Sequence, residues 1–207
     1  MWTLSAFVAA VAAALRDPTH AVWSEDEVVD HLRSALGDWS RAMPRRLAAV
    51  LPAEAGRREY DLTALDGLIE VTDVWYPYDA ADTARAPIRP AWSVPRDGVL
   101  RIETGEASRE SANASLRVFY AAAHTIEGLD GAVATTLDAQ GKEMVVLVAS
   151  AHAAMQAAQS SIGTVTVTGW TPKQYAEWAI LRLEAYRRAL EDVYRRAAGG
   201  DARVVWG

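Results

Sequence analysis

The hydrophobic period of this chain changes twice, and that constrains its fold more than any single motif does. Apolar residues recur at helical spacing through residues 2–43, alternate as in strands from about 45 to 121, and return to helical spacing from about 138. A helix gathers positions i, i+3, i+4 and i+7 on one face, whereas a strand sends successive side chains to opposite faces. The two helical stretches are amphipathic, and each stripe needs an apolar partner. The expected fold is therefore α+β: an α-helical bundle frame of about four helices, split by an inserted antiparallel β-rich module. Residues 1–44 and 122–198 form the frame, 45–121 the insert and 199–207 a C-terminal tail.

Leu4, Phe7, Val8, Val11 and Leu15 make the first stripe, which Asp17-Pro18 ends. Ser24 followed by Glu27 predicts a capping box, with Trp23 and Val28 placed as a hydrophobic staple. The helix this opens presents Val28, Val29, Leu32, Leu36 and Trp39 and stops at Met43-Pro44. In the insert, Arg46–Leu51 reads as a strand ended by Pro52, and a Gly56 turn leads to Glu59–Leu62. Leu68–Tyr76 alternates Ile69, Val71, Asp73 and Trp75 against Glu70, Thr72, Val74 and Tyr76. Pro77, Pro87, Pro90 and Pro95 bracket a loop-rich stretch. Asp97-Gly98 is a hairpin signal before Val99–Glu103, and Ala114–Tyr120 closes a sheet or small barrel.

The third helix spans about 138–160, with Met144, Leu147, Val148, Ala151, Met155 and Ala158 on one face and a flank of small residues. Residues 161–170 read as a Thr/Gly/Val linker, apolar enough to pair as a short strand. Thr171-Pro172 starts the last helix, Thr as N-cap and Pro in the first position. It buries Tyr175, Trp178, Ala179, Leu183, Tyr186, Leu190 and Val193, and is expected to stop at Gly199-Gly200. The tail beyond, with Val204-Val205-Trp206, either folds back on the helices or docks on another subunit or partner.

Composition excludes several classes. The 207 residues are 51% hydrophobic and 23% charged, as in an ordered globular chain. A net charge of −6 argues against a dedicated DNA-binding surface. The absence of cysteine removes disulfides, thiolate chemistry and Cys-based zinc sites. Basic charge is carried by Arg, with Lys142 and Lys173 the exceptions. The apolar start, Trp2–Val11, lacks the basic segment that precedes a signal-peptide core and ends at Arg16-Asp17, too short to span a bilayer. A soluble chain with an uncleaved Met1 is expected.

Residue patterns for chemistry are thin. His31 lies four positions after Glu27, but a metal needs a second ligand pair and none has clear spacing. His152 sits among Ala and Ser as a core or interface histidine, and His124-Thr125 suits a turn. Ser5, Ser150 and Ser160 lack a nucleophile-elbow context. Gly128–Gly131 lacks the Lys of a phosphate loop. Glu70, Asp73, Asp79 and Asp82 read as solvated carboxylates beside a Pro/Ala loop. No catalytic residue, metal ligand or cofactor is assigned.

Taken in order, these pieces resemble the head–tail connector (portal adaptor) proteins of tailed bacteriophages. The resemblance runs through Trp23–Val29 with Leu32, Ala35, Leu36 and Trp39, then Tyr60-Asp61-Leu62, Leu65 and Leu68–Val71. It continues through Trp75-Tyr76-Pro77, Arg117–Ala121, His124-Thr125, Thr136-Leu137 and Glu143 to Tyr175, Leu183 and Tyr186. It covers nearly the whole chain and contains no catalytic signature. It implies a virion component of the neck, assembled in the host cytoplasm: a homo-oligomeric ring, typically of twelve subunits, below the portal. Such a ring joins the capsid to the stopper or tail proteins and surrounds a DNA channel without sequence-specific binding. The resemblance also implies a portal contact, here Arg203, Val204, Val205 and Trp206. The β insert departs from the short, all-helical adaptors. Two other readings stay open: another ring-forming neck or tail protein (a stopper or tail-completion protein), and a helical ligand-binding protein or enzyme. Negative subunits would repel the DNA they surround. Residues 172–207 carry seven basic and five acidic residues, leaving a more basic end for an acidic partner surface.

Overall fold

The computed structural model describes residues 2–54, 56–79, 88–103, 115–160 and 170–201, with side chains described up to 195. The chain divides into two compact units, one of residues 1–42 with 124–207 and one of residues 43–123.

The helical unit contains α1 (Leu4–Leu15), α2 (Glu25–Ala42), α3 (Ala139–Ser160) and α4 (Pro172–Asp201). Helix α3 is the centre, and each of the other three packs on it. Its buried residues are mostly small: Gly141, Ala149, Ser150, Ala151, Ala153, Ala154, Ala157 and Ala158, with Val145 and Val148. The sequence pattern put the core face on the larger residues, yet Met144, Leu147 and Met155 are only half-buried. With neighbours on several sides, the helix is lined by side chains short enough to let three backbones approach, and the small flank becomes the core.

The segment of residues 124–138, which leads into α3, is braced against residues at the start of α1. Leu4 N–H donates to Glu127 O at 2.8 Å, and Glu127 N–H donates to Thr135 Oγ1 at 2.9 Å. Ile126, Leu129 and Leu137 are buried beneath it. Asp138 then caps α3, its Oδ1 accepting Gly141 N–H at 2.6 Å. Helix α4 opens with Gln174 N–H donating to Thr171 Oγ1 at 3.3 Å and Gln174 Oε1 accepting Thr171 N–H at 2.8 Å. Among its described side chains Ala179 and Tyr186 are buried, while Tyr175, Trp178, Leu183, Leu190 and Val193 are half-buried. It runs through Gly199-Gly200 to Asp201 rather than stopping there. Each glycine costs about 1 kcal/mol against Ala in a helix, a penalty that a long preceding helix can carry at its last turn. No helix among the described residues is long and apolar enough to cross a membrane.

The second unit holds two three-stranded antiparallel sheets in place of the single sheet or barrel expected. One has the order β1 (Arg45–Pro52), β6 (Ser115–Ala122), β3 (Leu68–Tyr78). The other has the order β2 (Glu59–Asp61), β5 (Val99–Ile102), β4 (Trp92–Arg96). Strand β4 lies in the proline-bracketed stretch read as loop. It ends at Asp97-Gly98, where Gly98 takes φ 72°, the left-handed turn position this dipeptide supplies. The core contains Tyr60, Leu62, Leu100, Ile102, Val74, Tyr76, Leu116 and Val118.

Strand β3 departs from its simple alternation. Val71 pairs Tyr120 and Asp73 pairs Phe119, so Thr72 is an extra residue in a bulge. A bulge of one residue reverses the faces beyond it. Val71 therefore shares the core side with Val74 and Tyr76, and Trp75 lies on the other side with Asp73.

Gly141 makes the packing of α3 testable. A methyl added there would come within 2.9 Å of Trp39 Nε1 and 3.1 Å of Leu137 Cδ2, both on buried residues. Gly141→Ala should lower stability by about 1–3 kcal/mol by overpacking, despite alanine's helix preference. Chemical denaturation checks this; a stabilised variant would contradict the close approach.

Candidate interaction surfaces

The α1–α2 corner is built around one carboxylate. Arg16 adopts φ 59° and closes α1, with Asp17 N–H donating to Ala12 O at 2.9 Å. Asp17 is 7% exposed. Its Oδ1 accepts the Ala21 N–H at 2.8 Å, and its Oδ2 accepts those of Val22 at 2.9 Å and Trp23 at 3.0 Å. Burial alone would raise its pKa; the three backbone donors, Trp23 foremost, outweigh burial and hold it below the ordinary carboxylate value. Sequence reading gave Asp17 only a helix-ending role. An Asp before Pro hints at a turn, but nothing local reveals donors four to six residues downstream.

This corner fixes Trp23, whose Nε1 donates to Ala153 O on α3 at 3.1 Å. Trp23 is buried beside the α2 capping box. There Ser24 N–H donates to Glu27 Oε2 at 2.8 Å and Glu27 N–H donates to Ser24 Oγ at 3.3 Å. The Ser24 hydroxyl, followed by its N–H, lowers the Glu27 pKa.

Beside Trp23 the start of α4 adds three rings. Tyr175 meets Trp23 edge-on at 5.8 Å, and Trp170 lies 5.5 Å from Tyr175 and 6.1 Å from Trp178. Arg182 lies over the Trp178 ring at 4.1 Å. These rings, with Leu15 and Asp17, surround an open pocket of about 230 Å³. That is below the roughly 300–1,000 Å³ usual for small-molecule sites, and suits one anchoring side chain.

The second unit offers a sheet face. Arg46, Ala48 and Val50 on β1 stand opposite Ala121, Phe119 and Arg117 on β6, and Asp73 and Trp75 on β3 complete the row. Val50 is 54% exposed. The Arg117 guanidinium lies 5.0 Å from the Phe119 ring, 5.2 Å from Tyr78 and 5.5 Å from Trp75. Asp73 accepts the Trp75 Nε1–H at 2.9 Å and pairs with Arg89 at 3.2 Å. Arginine and aromatic residues are enriched in protein-binding surfaces.

The other residues singled out are dispersed. His31 Nε2 lies 2.6 Å from Gln156 Oε1, a bridge between α2 and α3. His152 lies 3.8 Å from Asp38; burial lowers its pKa and Asp38 partly offsets that. His124 donates its N–H to the buried Ser40 Oγ at 2.9 Å. Burial, with Asp38 nearby, pushes the Tyr186 phenol up to about 12. No group of three or more His, Cys, Asp or Glu among the described residues could hold a metal. Asp82, residues 161–169 and Arg203, Val204, Val205 and Trp206 lie outside the described residues.

No family model and no curated protein matches the chain. Among solved structures, it is similar to a chain in the neck of an empty GTA particle computed with C6 symmetry, at 16% identity and TM-score 0.33, covering 84% of this chain and 87% of that one. It is likewise similar to a chain in the neck of a native GTA particle computed with C12 symmetry, at 18% identity and TM-score 0.30, covering 85% and 89%. A third, from the virion of a native gene transfer agent (GTA) particle, is 17% identical with TM-score 0.32, covering 84% and 86%.

Asp17→Ala should remove about 2–3 kcal/mol by stranding three backbone donors. A carboxylate with a depressed folded pKa stabilises above its unfolded value, near 3.8, and loses that contribution as pH falls through the folded value. The deficit in urea denaturation should therefore be full at pH 7 and shrink below about pH 4. A deficit independent of pH would show that the charge is not the cause.

Proposed function

We propose that this chain is a structural, non-enzymatic head–tail adaptor of a tailed-phage-like particle. In this reading it forms a homo-oligomeric ring below the portal, joins capsid to tail proteins and surrounds the DNA channel. The observation that carries it is the division of the chain: its two ends supply one helical unit and residues 43–123 form another, inserted between them. The sequence resemblance to portal adaptors runs through both, from Trp23 to Tyr186. Two half-buried arginine–aromatic groups, one around Trp178 and one around Arg117, support a protein that works through protein contacts. A net charge of −6 suits a wall that DNA passes without sticking. The portal contact is assigned to Arg203, Val204, Val205 and Trp206.

The test is to add a small epitope to the N-terminus of the full chain and label purified particles with an antibody. Label at the head–tail junction supports the reading; label elsewhere, or a chain absent from particles, overturns it. Native mass spectrometry of the chain mixed with the portal oligomer of the same particle should show a complex of several copies. Removing residues 203–207 should abolish that complex. If it persists undiminished, the portal assignment of the tail is wrong.

A further inference from the structure

The aromatic pocket has room for one large side chain, and the C-terminal segment of the same copy cannot reach it. Trp178 is 23 residues before the end of α4 at Asp201, about 35 Å at 1.5 Å per helical residue. From Asp201 to Trp206 the chain spans at most about 18 Å. A tail therefore cannot return to the pocket of its own copy, whereas it can reach one on a second copy. Among the segments outside the described residues, 202–207 is the one that carries an aromatic ring.

We infer that, before the portal is engaged, Trp206 of one copy seats in the pocket formed by Trp23, Trp170, Tyr175 and Trp178 of the next. The pocket's volume suits one large side chain, and its rings give edge-on and stacked faces to an indole. Arg203, three residues earlier, brings a guanidinium towards the rim, where the Asp17 carboxylate and the aromatic faces both attract a cation. The contact joins two different surfaces of the same chain, so it is heterologous and builds a ring or an open row of copies. It uses the same four residues as the proposed portal contact, and the two exclude each other. The self-contact stands on the pocket and the helix length alone; only its exclusion of the portal contact rests on the neck reading.

The experiment replaces Trp206 with the photo-crosslinker benzoylphenylalanine in the full-length chain, using mixed isotope-labelled and unlabelled protein. Cross-links to residues 14–23 or 170–178 of a second copy are expected. Cross-links within one copy, to residues 161–169, or to no site overturn the inference. Sedimentation velocity of the purified chain should show concentration-dependent association that Trp178→Ala and Trp206→Ala each weaken by roughly tenfold or more. The double variant should be no weaker than either alone, as for two halves of one contact. A chain monomeric at all concentrations, or additive losses, would overturn it. Trp178→Ala leaves the tail intact, so portal binding should persist in that variant; a failed portal assay with intact self-association would count against the neck reading alone.

Discussion

Close approach around α3 is the constraint on which the helical unit depends. Its buried alanines and Gly141 let α1, α2 and α4 gather on one helix. Small side chains contribute little area each, so the stabilisation arises from backbone proximity and from what neighbours insert. Trp23 and Trp39 are the main insertions: one hydrogen-bonds to an α3 carbonyl, and the other lies against the start of α3 and 6.4 Å from Tyr186. An indole over a small-residue surface gains dispersion and burial that a leucine-lined helix would supply with its own side chains.

Asp17 translates that packing into a surface. Its carboxylate holds the α1–α2 turn closed, which sets Trp23 against Ala153. Trp23 then forms one wall of the pocket whose other walls come from the end of α1, Ala154 on α3, Trp170 and the first turns of α4. A depressed pKa is here a consequence of shape: the turn presents three N–H groups to one point, and a charge there satisfies all of them. The pocket is thus shaped by a carboxylate whose own hydrogen bonds hold the backbone of the turn.

Local chemistry was well expressed in the sequence where the partners are close along the chain. The Ser24/Glu27 box, the Thr171-Pro172 start and the Asp97-Gly98 turn depend on contacts within a few residues, and each fits its local geometry. Long-range facts were not legible in the same way. A bulge at Thr72 costs one residue of register, and periodicity cannot reveal it because both faces of β3 carry apolar residues. Strand β4 contains Pro95, and proline is tolerated there because β4 is an edge strand with no ladder donor required on its free side. The pocket joins residues from positions 14–23, 154 and 170–178, whose rings look like ordinary core aromatics when read singly.

The ends of the inserted unit have a consequence for how such a chain can vary. Arg45 and Ala122 are paired residues on neighbouring strands, so the inserted unit begins and ends almost at one place. Adjacent strands lie about 4.8 Å apart, a gap that a short turn can bridge. Closely spaced ends let one unit be inserted within another chain without a strained connection. In such an arrangement the inserted residues and the packing around α3 can change independently of each other.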